Sequence, residues 1–213
     1  MLRNVVHTDW FTILILTGLF LIAFSRFLYT KRFDDLMGIF KNSNYLKIYI
    51  KDQKFINLFD GLLFLNLIIS LAIFLIVVSR GLFHAQEQQN LTLYYKLLVG
   101  IGSVILIKVL IDRLIGSLFD IDEVMNFYVF QKITFKNFLG IILLPINIIL
   151  IYATTPSKTL IYIAISLLFI INFVGFAMSF GANLKAIKNN IFYFILYLCA
   201  LEIAPYVILF KVI

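Results

Sequence analysis

Six long apolar runs, each close to the length needed to cross a bilayer, constrain this chain more than any other feature. An α-helix rises 1.5 Å per residue, so roughly 20 apolar residues cross a hydrocarbon core about 30 Å thick. We therefore predict six transmembrane spans, at residues 10–29, 61–79, 97–115, 138–152, 160–180 and 191–210. The run at 138–152 is shorter than the core requires. This span either begins earlier, near Ile133, or is re-entrant, and we favour a full crossing.

The composition agrees with lipid as the main solvent. Hydrophobic residues make up 62% of the chain and charged residues 14%. Soluble domains have about 45–50% apolar and 25% charged residues. A soluble core of this size cannot bury the excess. The sequence thus predicts an all-α, polytopic transmembrane bundle that forms a single domain over residues 1–213.

The net charge of +7 is distributed as a topology signal. Most Lys and Arg residues flank the first, third and fifth loops. Because cytoplasmic loops carry the excess of Lys and Arg, both termini are predicted to lie outside and these three loops in the cytoplasm. The basic loops attract anionic lipids. The charge is not gathered on one folded face, and we expect no nucleic-acid partner.

Two cytoplasmic loops are long enough to hold short interfacial helices. The segment 31–60 is basic and carries Phe33, Leu36, Ile39 and Phe40 near helical spacing, which is typical of a helix lying on the membrane surface. Residues 120–136 begin with acidic side chains and end with aromatic and basic ones. That order suits a short helix and its dipole.

Ionisable residues within the spans are the first candidates for function, because burying a charge in lipid costs several kcal/mol. Glu202 lies near the middle of the sixth span, and Lys108 lies at a similar depth in the third. One hypothesis pairs Glu202 with Lys108, as a structural ion pair or in proton coupling. Alternatively, Lys108 pairs with Asp112 one helical turn away, and Glu202 is neutral or has another partner.

Further polar and kinking residues complete the candidates. Amide side chains in the fourth and fifth spans predict hydrogen bonds between helices, since amides in lipid seek partners. Charged residues that end three spans predict a network at the cytoplasmic edge, in competition with simple snorkelling to the interface. Prolines within two spans predict kinks. The amides are Asn147 and Asn172, the edge residues are Arg26, Asp60 and Arg113, and the prolines are Pro145 and Pro205.

The chain carries no motif of a known chemistry. His7, His84 and Cys199 are isolated in sequence, with no second ligand at metal-binding spacing. Nucleotide-binding glycine loops and serine-hydrolase motifs are also absent from the sequence. We therefore predict no catalytic residue, metal or cofactor.

The sixth span, with the stretch Leu196-Tyr197-Leu198-Cys199-Ala200-Leu201-Glu202-Ile203-Ala204-Pro205, carries a family resemblance. Together with Leu143-Leu144-Pro145 and the total length, it resembles an uncharacterised family of small multi-pass inner-membrane proteins of Bacteroidota. The resemblance covers nearly the whole chain. It implies a location in the bacterial inner membrane and brings no known activity.

Three functions remain open from the sequence. The first is a non-enzymatic accessory or structural subunit of a cell-envelope complex, with other membrane proteins as partners. The second is a small proton- or ion-coupled transporter that uses Glu202 and Lys108. The third is a membrane-embedded lipid-modifying enzyme with its site at the cytoplasmic face. We favour the first, because the sequence lacks catalytic motifs and a soluble domain of any size.

Overall fold

The computed structural model describes residues 9–39, 44–49, 57–83, 91–119, 122–153 and 158–187, and every element in these ranges is helical. The expected all-α class is thus confirmed. The predicted span 191–210 lies outside the described residues. The elements are α1 (Asp9–Leu28), α2 (Thr30–Met37), α3 (Asn44–Tyr49), α4 (Leu58–Phe83), α5 (Leu91–Leu118), α6 (Asp122–Ile148), a π-helical turn (Ile149–Ala153) and α7 (Lys158–Ile187).

Four stretches of these helices are long and apolar enough to cross a membrane. They are Trp10–Leu28, Leu58–Leu82, Met125–Tyr152 and Lys158–Gly175. Helix α5 is not among them, although it covers the span expected at 97–115. It is 28 residues long, roughly 42 Å, and carries Lys108, Asp112 and Arg113. Its crossing of the membrane stays a prediction.

Helix α6 is much longer than the sequence indicated. It runs without a break from Asp122 to Ile148, and Pro145 lies inside it. The expected span at 138–152 is therefore the C-terminal half of a long helix, which begins even before Ile133. The short separate helix expected within 120–136 is likewise corrected, because residues 122–136 form the first turns of α6.

Helices α4 and α6 run in the same direction and form the centre of the bundle. Near the start of α4, the side chain of Asn137 donates to the Asp60 carbonyl oxygen at 3.4 Å. Further along both helices, the side chain of Asn147 donates to the Ser70 carbonyl oxygen at 2.9 Å. Residue numbers rise together along the two helices, so α4 and α6 are parallel.

Helices α1 and α5 run antiparallel to α4 and α6. Where α1 and α5 contact α6, residue numbers that rise along one helix meet residue numbers that fall along the other, as in antiparallel helices. The long helices up to α6 thus alternate in direction along the chain, as successive crossings require. The pairs that show this are Thr12 with Tyr152, Gly18 with Leu144, Asp112 with Lys132, and Gly116 with Met125.

The closest approach between α4 and α6 lies at Gly140. A Cβ atom on Gly140 would stand 2.8 Å from the Cα and 3.2 Å from the backbone nitrogen of Leu67. The two backbones therefore touch at this point, and only glycine leaves room for the contact. Small residues allow such close approach between membrane helices, where packing rather than the hydrophobic effect holds helices together.

Helices α2 and α3 pack beside the first turns of α4 and α6, at what we call the α2 end of the bundle. Phe33, Leu36 and Ile39 are buried there in one cluster with Phe59 and Phe130. The apolar face of α2 therefore contacts protein, and Phe40 lies outside the described residues. Helices α4 and α6 provide the apolar wall that this face contacts. The position of α2 at the membrane surface stays a prediction.

The outer helices leave most of their apolar side chains uncovered by the described residues. In the membrane-length windows of α1 and α7 only 22% and 17% of residues are buried, against 56% for both α4 and α6. Phe20 of α1 and Phe169 of α7 are examples, with 65% and 72% of the side chain exposed. Lipid is the solvent that suits such surfaces.

Candidate functional site at the α2 end of the bundle

A charged residue of α2, Arg32, is the centre of the polar contacts at the α2 end. Its Nη2 atom donates to Asp60 Oδ2 at 2.8 Å, and its Nε atom donates to the Tyr45 hydroxyl at 3.4 Å. The guanidinium carbon lies 4.7 Å from the centre of the Phe59 ring and 5.2 Å from that of Tyr49. Arg32 is thus held by an ion pair and by two aromatic rings.

The neighbours of this pair tie three helices together. Asp60 lies in the first turn of α4, where the helix dipole favours a negative charge. The Tyr49 hydroxyl of α3 donates to Asp35 Oδ2 of α2 at 2.8 Å. Arg32 is 11% exposed and Asp60 is 19% exposed, so water screens the ion pair only weakly. We name Arg32, Asp60, Tyr45, Tyr49 and Phe59 the Arg32 cluster.

Burial and charge set the protonation states outside the spans. Burial acts to lower the pKa of Arg32, but Asp60 and Tyr45 outweigh it, so the Arg32 pKa is raised. Burial raises the pKa of Tyr45 to about 12, although Arg32 opposes the shift. At neutral pH, Arg32 is therefore a cation and Tyr45 a neutral phenol. The Tyr45 oxygen accepts the hydrogen bond of the guanidinium.

A cavity of about 300 Å³ adjoins this cluster between α4, α5 and α6. The polar residues that line it are Arg113, Lys136, Asp60, Asn57 and Asn137. The rest of its wall is mainly aliphatic and aromatic. This combination of fixed polar groups and apolar walls is typical of small-molecule sites.

A second ion pair joins α5 to α6 at the same end. Lys132 Nζ lies 3.0 Å from Asp112 Oδ2, and Asp112 is almost completely buried. The Lys132 ammonium also lies 5.2 Å from the Tyr128 ring centre. Asp112 therefore has a cationic partner on another helix. From the sequence, Lys108 was the only candidate for this role.

The residues predicted for the edge network are brought together only in part. Asp60 and Arg113 line the same cavity. Arg26 is instead exposed at the end of α1, and its guanidinium carbon lies 5.9 Å from the Phe33 ring centre. The arginine that binds Asp60 is Arg32, which was not among the residues predicted for this network.

The amides predicted between the helices have different surroundings. Asn147 is buried and bonded to Ser70, whereas Asn172 is exposed and lines a second cavity of about 540 Å³. Asn66 is fully buried, and neither atom of its amide has a hydrogen-bond partner within the described part of the chain. Asn66 faces Gly18, where an added Cβ would lie 3.1 Å from its Oδ1.

Of the two prolines predicted to kink helices, Pro145 lies within the described residues. Pro145 lies in α6 four residues before the π-helical turn that begins at Ile149. Proline removes one hydrogen bond from a helix, and π-turns are another source of bends. Glu202 and Pro205 lie outside the described residues. Lys108 is half-buried on α5. Its pairing with Glu202 stays a prediction.

Several residues of the site escaped sequence reasoning for one shared reason. They lie in loops or on the flanks of apolar runs, where charge is ordinary and spacing gives no partner. The helical register of Phe33 and Leu36 places Arg32 beside a buried face and was the only available signal. The missed residues are Arg32, Tyr45, Tyr49, Lys132, Lys136 and Asn137.

The described helices, four of them long and apolar enough to cross a membrane, are those of a helical, membrane-like protein. A family model described as Domain of unknown function (DUF4271) matches residues 11–213, and the chain belongs to this family. This confirms the expected membership of an uncharacterised family. No curated protein and no solved structure matches the chain.

Proposed function

We propose that this chain is a non-enzymatic subunit of a membrane-embedded cell-envelope complex in the bacterial inner membrane. In this proposal it crosses the membrane six times, with both termini outside and the α2 end in the cytoplasm. The observation that carries it is the uncovered apolar surface of α7. Its partners are other membrane proteins, together with anionic lipids at the basic loops.

The exposed stripe on α7 is long and regular. Tyr162, Ile163, Phe169, Ile170 and Phe173 are each more than half exposed, and they recur at helical spacing. Large aromatic and β-branched side chains of this kind provide extensive packing surface for a neighbouring helix. Helix α1 offers a second such surface on another part of the bundle.

The charged residues at the α2 end support the same proposal. Arg32 binds Asp60 and Lys132 binds Asp112, each pair joining two different helices. Ion pairs buried among aromatic rings fix the arrangement of helices. Such an arrangement suits a rigid scaffold that presents its outer helices to partners.

The test combines affinity purification with tryptophan scanning of α7. The tagged full chain is purified from its native membrane in mild detergent, and mass spectrometry reads what accompanies it. We expect a partner in fixed stoichiometry. Ile163→Trp, Phe169→Trp or Phe173→Trp is expected to release that partner with the melting temperature of the chain unchanged.

The matched control lies on the opposite face of the same helix. Ile161 is completely buried, so Ile161→Trp is expected to destabilise the chain itself. Recovery of the chain alone, as a monomer or a homodimer, would contradict the proposal. It would favour the transport or lipid-modifying alternatives. Trp variants of α7 that all retain the partner would place its binding surface elsewhere and remove the supporting observation.

A further inference from the structure

We propose that the pocket at the junction of α1 and α2 binds the phosphate of one phospholipid, whose acyl chain lies along the exposed face of α1. The pocket measures about 370 Å³, and we call it the α1–α2 pocket. This inference rests on the membrane location in the proposed function but not on a protein partner, so a chain purified without a partner would not contradict it. The lining residues that carry the argument are Leu28, Lys31 and Arg32.

The charges that line the α1–α2 pocket are positive. Among its described lining residues, Lys31 and Arg32 are charged, and both are cations. The nearby carboxylates of Asp35 and Asp60 do not line it. Lys31 is exposed and forms no ion pair with a described residue. Lys31 therefore supplies a positive charge that no carboxylate in the described ranges neutralises, and the pocket favours an anion.

Arg32 adds a fixed hydrogen-bond donor to this charge. Its Nη2 atom binds Asp60, and its Nε atom binds the Tyr45 hydroxyl. Its Nη1 atom makes no hydrogen bond to the described residues and is not one of the buried unpaired atoms, so it keeps accessible surface. A guanidinium carries five N–H donors, so the ion pair with Asp60 leaves Nη1 able to donate to a phosphate oxygen. The rings of Phe59 and Tyr49 hold the guanidinium in place, which lowers the entropic cost of binding.

An exposed apolar ridge leads from the pocket along α1. Phe20, Phe24 and Leu28 recur every four residues, which places them on successive turns of one helix face. They are 65%, 39% and 45% exposed, and the rings of Phe20 and Phe24 stack with their centres 5.8 Å apart. Leu28 also lines the pocket, so the ridge begins where the cations lie. A cationic pocket that continues into an apolar ridge matches the polarity of a phospholipid, whereas a soluble phosphate compound would leave the ridge uncovered.

The experiment measures lipid binding to the full chain in detergent by native mass spectrometry. Phosphatidylglycerol and diacylglycerol with identical acyl chains are added separately, and they differ by the phosphoglycerol group. We expect phosphatidylglycerol to bind about tenfold more tightly or better, because Lys31 and Arg32 both contact its phosphate. Glycerol 3-phosphate at the same concentration is expected not to displace it, because this soluble compound has no acyl chain.

Three variants test the site itself. Lys31→Gln is expected to weaken phosphatidylglycerol about fivefold, the effect of one cation beside an anionic lipid, and to leave diacylglycerol unchanged. Arg26→Gln is the matched control, because Arg26 is an exposed cation at the same end of α1 that does not line the pocket. It is expected to leave phosphatidylglycerol binding unchanged. Phe24→Ala is expected to weaken both lipids alike, because both carry the acyl chains.

Three results would overturn the proposal. Equal binding of phosphatidylglycerol and diacylglycerol to the unsubstituted chain would remove the phosphate contact. Equal losses in Lys31→Gln and Arg26→Gln would show attraction by general surface charge rather than a site. Displacement of phosphatidylglycerol by an equal concentration of glycerol 3-phosphate would assign the pocket to a soluble phosphate compound and not to a lipid.

Discussion

Gly140→Ala is the substitution whose outcome the geometry determines most directly. The new Cβ would lie 2.8 Å from Leu67 Cα and 2.9 Å from Leu67 Cβ. Carbon atoms pack best at about 3.5–4.0 Å, so α4 and α6 would have to separate by nearly 1 Å. The neighbour is backbone and cannot rotate away. Overpacking of this kind costs about 1–3 kcal/mol.

A second glycine provides the matched control. Gly100 lies on α5, and a Cβ added there would meet nothing within 4 Å. Both substitutions gain the same intrinsic helix propensity, about 1 kcal/mol, so comparing the two variants cancels it. The difference between them isolates the clash. We therefore expect Gly140→Ala to be less stable than Gly100→Ala by about 1–3 kcal/mol.

Thermal unfolding in detergent, followed by fluorescence-detected gel filtration, measures this difference. For a chain of this length each kcal/mol corresponds to roughly 2–4 °C, so the two variants should melt roughly 2–12 °C apart. Gly140→Ala has to be the lower. If both variants melt together, α4 and α6 do not touch at Gly140, and the central pair of the bundle is arranged differently.

Three further predictions concern the polar contacts. Asp60→Asn and Arg32→Leu should each destabilise the chain, and a double-mutant cycle should show a coupling of about 0.5–3 kcal/mol; additive losses would contradict the ion pair. The Tyr45 pKa is raised from 10.0 to about 12, so its contribution to stability is complete below pH 10 and is lost between pH 10 and about 12. The alkaline fall in melting temperature over this interval should therefore shrink in Tyr45→Phe, and an unchanged fall would refute the assignment. Asn147→Leu should cost roughly 0.6 kcal/mol for one interhelical hydrogen bond, whereas Asn66→Leu should leave the melting temperature unchanged or higher, because no bond is lost.

The sequence was sufficient to predict the helices, because each apolar run indicates a helix without reference to the rest of the chain. A run of apolar residues satisfies its own backbone hydrogen bonds only as a helix when lipid surrounds it. The predicted spans 61–79 and 160–180 accordingly fall within α4 and α7, and all but the last residue of 10–29 falls within α1. The sequence did not predict where α6 begins. Residues 122–136 were expected to form a separate short helix, but they continue without a break into α6. Helices α5 and α2 pack against α6, and Tyr45 of α3 stacks on Phe130.

The candidate site could not be predicted from the sequence, because it is formed by contacts between residues far apart in the chain. Arg32 and Asp60 are 28 positions apart, and Asn147 and Ser70 are 77 apart. Each of these residues alone has many acceptable partners, so spacing cannot select among them. The same holds for Asp112, whose neighbour on its own helix, Lys108, was the obvious partner from the sequence. The fold brought Lys132 of α6 to the same carboxylate.

The sequence by itself determined that this chain forms apolar helices, because composition and run length act within each segment. It also indicated that the first long loop would form an amphipathic helix. Only the tertiary structure decided what that helix covers and which charges meet. Packing of α2 against α4 and α6 buries Phe33 and Leu36 in protein and places Arg32 against Asp60. The close approach at Gly140 is decided in the same way, because a contact between two backbones exists only once both helices are in place.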